Sequence, residues 1–447
     1  MKLISKILVA VMAAAVLFTS CEPQTITGGG DGSGNGNNNG GNNNGGGTTA
    51  DGITVWPKDT TVILTDHYLV PEGESLYVEE GATVIASNSE VKPEIVVLGN
   101  LYVLGTEANP VTFTVEESSK SDRFSRNWGG IICGYNSEEV VLQNAIIEYG
   151  GAQTQESSLS FQHQLFKTET GEGVPGFHFC NPDGQFVITG CTFRNMAEDC
   201  IYITGGKSIV MNNRFICNGY DGGEAINYKS DCLVDVAFNF IYDANTNGFK
   251  LSNEGFAYVQ TVFNGYNNTM VNCGWRRPGV KGGCIWLEAA IIANLYNNLV
   301  YDCRWGLKYD IEDDHDESCV LTPNYYFAST QTGVDQMQAD AEEGILNSAD
   351  DIMSATPGDM NPLFVNFTQQ DDININVGGN AAGAPVEFND SWDFHLSAGS
   401  PALTGGVTGF TRHFATEGLV FEGLQDRGND TFTSPDPQPF FGAFGQN

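Results

Sequence analysis

Two lysines and a tryptophan, Lys250, Lys308 and Trp286, fall at one position of a recurring pattern. Tyr202 and Asn227 hold the same position in two other copies. In each copy a small residue precedes an apolar, a variable and an apolar residue: Cys200-Ile201-Tyr202-Ile203, Ala225-Ile226-Asn227-Tyr228, Gly248-Phe249-Lys250-Leu251, Cys284-Ile285-Trp286-Leu287 and Gly306-Leu307-Lys308-Tyr309. Two residues on, Thr204, Lys229, Ser252, Glu288 and Asp310 form a second set. Trp275, Arg276, Arg277 and Lys281 lie between two copies. Aromatic rings stack on sugar faces, and Lys and Arg pair with carboxylate or sulfate. With only 20 Lys and Arg in 447 residues, such a cluster suggests a groove for an extended anionic polymer. The bland alternative is a solvated sheet face whose lysines guard against aggregation.

Catalysis asks for more. A β-elimination on a uronic acid needs a base, for which Lys250, Lys308 or Arg277 would serve, and a cation. A glycosidic hydrolysis needs two carboxylates, about 5 Å apart for retention or 6.5–9.5 Å for inversion. Glu288 and Asp310 would sit on adjacent rungs, near the shorter value. Asp310, Asp313, Asp314 and Asp316, with Glu312 and Glu317 in the same run, offer the oxygens that Ca²⁺ takes. The run lacks the spacing of a calcium loop, which favours a solvated acidic loop. No Gly-x-Ser-x-Gly elbow or phosphate loop occurs.

The elements that must position these residues are short strands. A second pattern alternates with the first, a small or amide residue, an Asn or Cys, any residue, then a bulky one: Gly190-Cys191-Thr192-Phe193, Asn212-Asn213-Arg214-Phe215, Phe238-Asn239-Phe240-Ile241, Asn267-Asn268-Thr269-Met270 and Asn297-Asn298-Leu299-Val300. Each pattern returns after 22 to 36 residues. Such a unit cannot bury its own apolar face and must stack on its neighbours. Period-2 strands without helix-period runs make the solenoid a parallel β-helix, an all-β fold. Alternation then points the central residue of each first-pattern copy outward, and stacking sets equivalent residues about 4.8 Å apart. The Asn positions Asn213, Asn239, Asn268 and Asn298 are expected to bond coil to coil. Earlier strands are expected around Ile53, Val62, Tyr68, Leu76, Thr83, Ile95, Leu101 and Val111, punctuated by Gly and Pro. Gln153 to Gly176 breaks the rhythm as a loop excursion. Asp335 to Met353 is the one helix-like stretch.

Val70-Pro71-Glu72-Gly73, Glu80-Gly81-Ala82-Thr83-Val84-Ile85 and Ala108-Asn109-Pro110-Val111-Thr112-Phe113 resemble the first coils of secreted right-handed parallel β-helix proteins of the pectate-lyase-like superfamily. Asn361-Pro362-Leu363-Phe364 and Ser397-Ala398-Gly399-Ser400-Pro401-Ala402 resemble the closing segment of such proteins. The resemblance implies a right-handed β-helix over 51–447, with coils over about 53–320 and a closing segment over about 361–447. It implies no particular activity, since the fold hosts lyases, hydrolases, adhesins and inert scaffolds.

The ends of the chain carry an address. Lys2 and Lys6 precede the apolar run Ile7 to Phe18, which reads as a secretory signal over 1–20. Leu17-Phe18-Thr19-Ser20-Cys21 resembles a bacterial lipobox, implying lipidation at Cys21. Glu22 rather than Asp follows, so an inner-membrane retention signal is not indicated. Gly28 to Gly47 contains 18 Gly or Asn in 20 residues and cannot fold alone. The stretch 21–50 is thus a lipidated Cys and a tether of roughly 25 Å span, resembling lipoproteins of the Bacteroidota. An outer-membrane, surface-exposed location and a membrane partner through the anchor follow as expectations. The net charge of −35 argues against nucleic acid. Of 11 cysteines, those in the repeats are expected as core thiols, with Cys303 and Cys319 as a candidate bridge. Terminal caps, placed at the amino-terminal strands and after Asn361, argue for a monomer. The sequence favours a glycan-binding or partner-binding envelope protein. A polysaccharide lyase or glycoside hydrolase, and a structural or adhesive protein, stay open.

Overall fold

The structure is a computed structural model and describes residues 24–26, 48–165, 169–220, 222–254, 259–277, 283–312, 316–367, 369 and 387–447. The signal stretch, Cys21 and almost all of the tether lie outside them, as do Lys281, Asp313 and Asp314. The chain winds as a right-handed parallel β-helix. Among the described residues its coils build three parallel sheets of eleven, nine and ten strands, the last ended by an antiparallel strand.

From Asn144 to Asp302, two left-handed corners turn each coil. At the first, Gly190, Asn212, Phe238, Asn267 and Asn297 all have φ between +50° and +66°. Gly and Asn tolerate this conformation. At Gly190 a Cβ would also fall 2.3 Å from Asn144 Oδ1. The next residue of each copy is buried and forms a ladder. Asn213 Nδ2 donates to Asn239 Oδ1 at 3.0 Å, Asn239 to Asn268 at 3.0 Å, Asn268 to Asn298 at 2.9 Å and Asn298 to Asn324 at 2.9 Å. The same oxygens accept the preceding rung's backbone N–H. The core therefore holds its corner amides without water. Between corners, inward side chains stack in register, as in Phe177, Ile201, Ile226, Phe249, Ile285 and Leu307. All are at most 1% exposed.

The outer faces of the sheets are dressed differently. Phe394, Leu396 and Phe441 of the closing segment pack with Phe240, Tyr242, Tyr301 and Tyr325 on the eleven-stranded sheet. The pair Leu419–Val420 and Thr431–Phe432 covers Tyr102, Val141, Val187 and Ile209 on the nine-stranded sheet. The described residues after Asn361 therefore wrap the sides and do not cap the end. The end cap is the helix Gln331–Met337, whose Val334 and Met337 enter the main core. This helix starts before Asp335, because the Thr330 hydroxyl accepts Gly333 N–H and caps it. The helix-like stretch at Asp335 to Met353 is otherwise turn and the short strand Ile345–Leu346.

The ten-stranded sheet carries the excursion at Gln153 to Gly176. Leu165 and Val174 of this loop pack on Val96, Ile132 and Cys180. Beyond the loop, part of that face opens into a cleft. The cysteines Cys191, Cys200, Cys284 and Cys303 are buried free thiols. The bridge between Cys303 and Cys319 does not form: Cys303 Sγ donates to Met270 O, and Cys319 Sγ to Ile291 O, at a different corner.

Candidate functional site

Strand register fixes the outward column of the ten-stranded sheet. His178 pairs with Tyr202, Tyr202 with Asn227, Asn227 with Lys250, Lys250 with Trp286 and Trp286 with Lys308. The five residues expected to share a face do so. Below them the column continues as Leu69, Val96 and Ile132, which are apolar where the loop covers them. The sequence signal for that cover is a strand apolar at three consecutive positions, Ile95–Val97.

Over Tyr202, Asn227, Lys250 and Trp286 lies a cleft of about 340 Å³, within the size range of small-ligand sites. Lys229, Glu288 and Asp310 line one side of it. Glu198, Asp199, Gly222 to Glu224, Thr246, Asn247 and Arg277 line the other, and Gly173 and Pro175 of the loop line one end. Five side chains on the second side were not anticipated: Glu198, Asp199, Glu224, Thr246 and Asn247. Asp199, Glu224 and Asn247 stand immediately before the small residue of successive copies, so aligning that position would have found them.

The basic strip expected from Lys229, Lys250 and Lys308 is not basic. Glu288 Oε1 lies 3.3 Å from Lys229 Nζ and 3.1 Å from Lys250 Nζ, and its Oε2 accepts Trp286 Nε1–H at 2.9 Å. Burial alone would raise the Glu288 pKa, but Lys250 and Lys229 hold it down to about 2. Lys308 is 5% exposed, 3.4 Å from Glu343 and 4.0 Å from the Trp305 ring centroid. It stands beyond the cleft lining. The lining holds three cations, Lys229, Lys250 and Arg277, against five carboxyls, Glu198, Asp199, Glu224, Glu288 and Asp310.

Two expected ligand residues belong to the scaffold. Trp275 is buried with Nε1–H donated to Asp302 O. Arg276 is 3% exposed, 3.2 Å from Asp243, with further bonds to the Asn218, Gly219 and Asp243 carbonyls. Both are consumed in closing a corner.

Glu224 and Asp199 face each other in the cleft. Asp199 Oδ1 accepts Glu224 N–H at 2.8 Å, and its Oδ2 accepts Asn227 Nδ2–H at 2.9 Å. Burial, then the Asp199 charge and hydrogen bond, push Glu224 up to about 8. A carboxyl with a raised pKa thus sits beside a second carboxyl, the arrangement of a group able to donate a proton. Lys250 is the reverse case. Burial opposes its charge, but Glu224 and Glu288 raise its pKa, which does not favour the base role. Asp310 lines the cleft and accepts Glu312 N–H at 3.1 Å. Asp316 accepts Ser318 N–H at 2.7 Å. Among the described residues no three His, Cys, Asp or Glu side chains are grouped to hold a metal.

Two polar atoms of the lining residues have no hydrogen-bond partner among the described residues, Asn227 Oδ1 and Thr246 Oγ1. Both residues are at most 6% exposed.

Residues 47–164 match the family model described as a pectate-lyase like beta helix domain. Among curated proteins and among solved structures, nothing matches the chain. The first coils are thus similar to that domain type, and the coils that carry the cleft lie beyond the matched stretch.

Proposed function

We propose that the chain is a lipid-anchored envelope protein that binds an extracellular polysaccharide in the cleft of the ten-stranded sheet. The observation that carries this is the cleft of about 340 Å³, whose lining sets the Tyr202 and Trp286 rings among polar and charged side chains. Such side chains offer donors and acceptors to a hydroxyl-rich ligand. Rings beside such groups give sugar C–H faces an apolar surface. Similarity of the first coils to a pectate-lyase like domain supports a polysaccharide at the level of domain type. The internal pairing of Lys229 and Lys250 with Glu288 favours an uncharged glycan over the anionic one that the lysines alone suggest. The test is a glycan array probed with the folded body and with Trp286→Ala. Retention of uncharged glycans, weakened about tenfold or more in the variant, supports the reading. Equal retention by both proteins, or none by either, overturns it.

One observation favours a second reading, glycoside hydrolysis. Glu224, whose pKa burial and Asp199 raise to about 8, would act as the general acid beside the Asp199 carboxyl. New reducing ends released from a glycan that the protein binds would establish it. Bound glycan recovered intact after prolonged incubation would remove it.

A further inference from the structure

The cleft is short along the helix axis, and both of its ends are walled. We propose that it takes the end of a glycan chain, about three sugars long, and not an interior stretch of a polymer. This rests on the cleft being the glycan site.

The open floor runs over four rungs, Tyr202, Asn227, Lys250 and Trp286. Three strand spacings of about 4.8 Å make about 14 Å, and a pyranose in an extended chain advances about one spacing. On the rung before Tyr202, His178 is 1% exposed. There the loop comes down: Gly173 and Pro175 form the wall, and a Cβ on Gly173 would fall 2.1 Å from the Glu198 carboxyl carbon. Glu198 is tied across to Arg126 at 2.9 Å. Leu165 and Val174, buried on Val96 and Ile132, hold the loop on the sheet. On the rung after Trp286, the Lys308 side chain lies outside the cleft lining, against the Trp305 ring. It is roofed by Trp305 and Glu343, and the strand Ile345–Leu346 then runs antiparallel to Leu307–Tyr309 and ends the sheet. A chain lying on the column therefore meets packed protein at each end. A polymer crossing the column sideways would touch only one or two rungs and would leave the others unused.

The experiment is titration calorimetry of the folded body with a size-graded series of the glycan retained on the array, from the disaccharide to the parent polymer. Trp286→Ala serves as the control for binding at the cleft. Affinity per molecule is expected to rise up to about three sugars and then to stay constant within about twofold. Polymer stoichiometry should follow the number of chain ends. Affinity that keeps climbing with length, or many protein copies bound along each polymer chain, overturns the inference while leaving the glycan site intact. Absence of binding to every member of the series, or binding unaltered by Trp286→Ala, overturns the glycan reading itself.

Discussion

Glu224 is the residue on which the chemistry of the cleft turns, because its ionisation is set against its surroundings. Burial and Asp199 lift its pKa from 4.5 to about 8. Folded protein therefore binds more protons at this site than unfolded chain does across that interval, and stability from this group falls as pH rises through it. Below the unfolded value both states are protonated and the effect vanishes. Above about 8 it is complete and constant. Glu224→Gln mimics the protonated form at every pH. Its melting temperature is expected to match wild type near about pH 5 and to exceed it by about 3 °C or more near about pH 9. Thermal melts of the two proteins across pH test this, and parallel curves would show that Glu224 ionises normally. Glu288 lies in the same cleft and behaves oppositely, because two lysines reach it. Neither behaviour was legible in the sequence. Lys250 and Lys229 could be placed on neighbouring rungs by counting, but which carboxylate they clamp depends on a contact between residues 59 and 38 positions away.

The strand and corner ladders were legible, because a solenoid repeats its local rules in order. The αL corner selects Gly or Asn, the next position selects Asn, and the outward column follows from alternation. Phe238 breaks the first rule at φ +56°, half-buried against Tyr266, yet its neighbour Asn239 keeps the ladder. Asn268, in mid-ladder, tests how much this element contributes. Its Oδ1 accepts both Asn239 N–H and Nδ2–H, and its Nδ2 donates to Val236 O, Tyr266 O and Asn298 Oδ1. Asn268→Ala leaves these partners unpaired in a dry core and opens a void, so a loss of about 3–5 kcal/mol is expected. Adding Asn239→Ala should cost less than the sum of the single changes, since the two share bonds. Denaturant unfolding of the three variants measures this. Additive losses would mean that the rungs act independently. The elements that were misread, the helix near Asp335 and the end cap, lie where the repeat stops and each contact is made once.

At the scale of the molecule, the closing segment decides which sheet is left to bind. Its described residues pack on the outer faces of two sheets and leave the third, where the cleft lies. Composition hides this, since the aromatic residues of the segment and of the coils that it covers look alike in sequence. One buried carboxylate pins the wrap to the coils. Asp235, 0% exposed, accepts Asn264 Nδ2–H at 2.8 Å from its own sheet, and Phe414 N–H at 3.2 Å and the Ser434 hydroxyl from the closing segment. Asp235→Ala removes all three acceptor contacts and leaves their donors buried. The loss falls on the interface between the wrap and the coils, not on the ladder inside them. The closing segment from about Val407 onward should then become the first site of limited proteolysis, while the coils persist, because the stability of a solenoid is held locally between neighbouring repeats. Glycan binding should survive, since no described residue of the wrap lines the cleft. Cleavage that begins instead within the coils, or binding lost together with the wrap, would mean that coils and closing segment unfold as one unit and that the cleft depends on its covered neighbours.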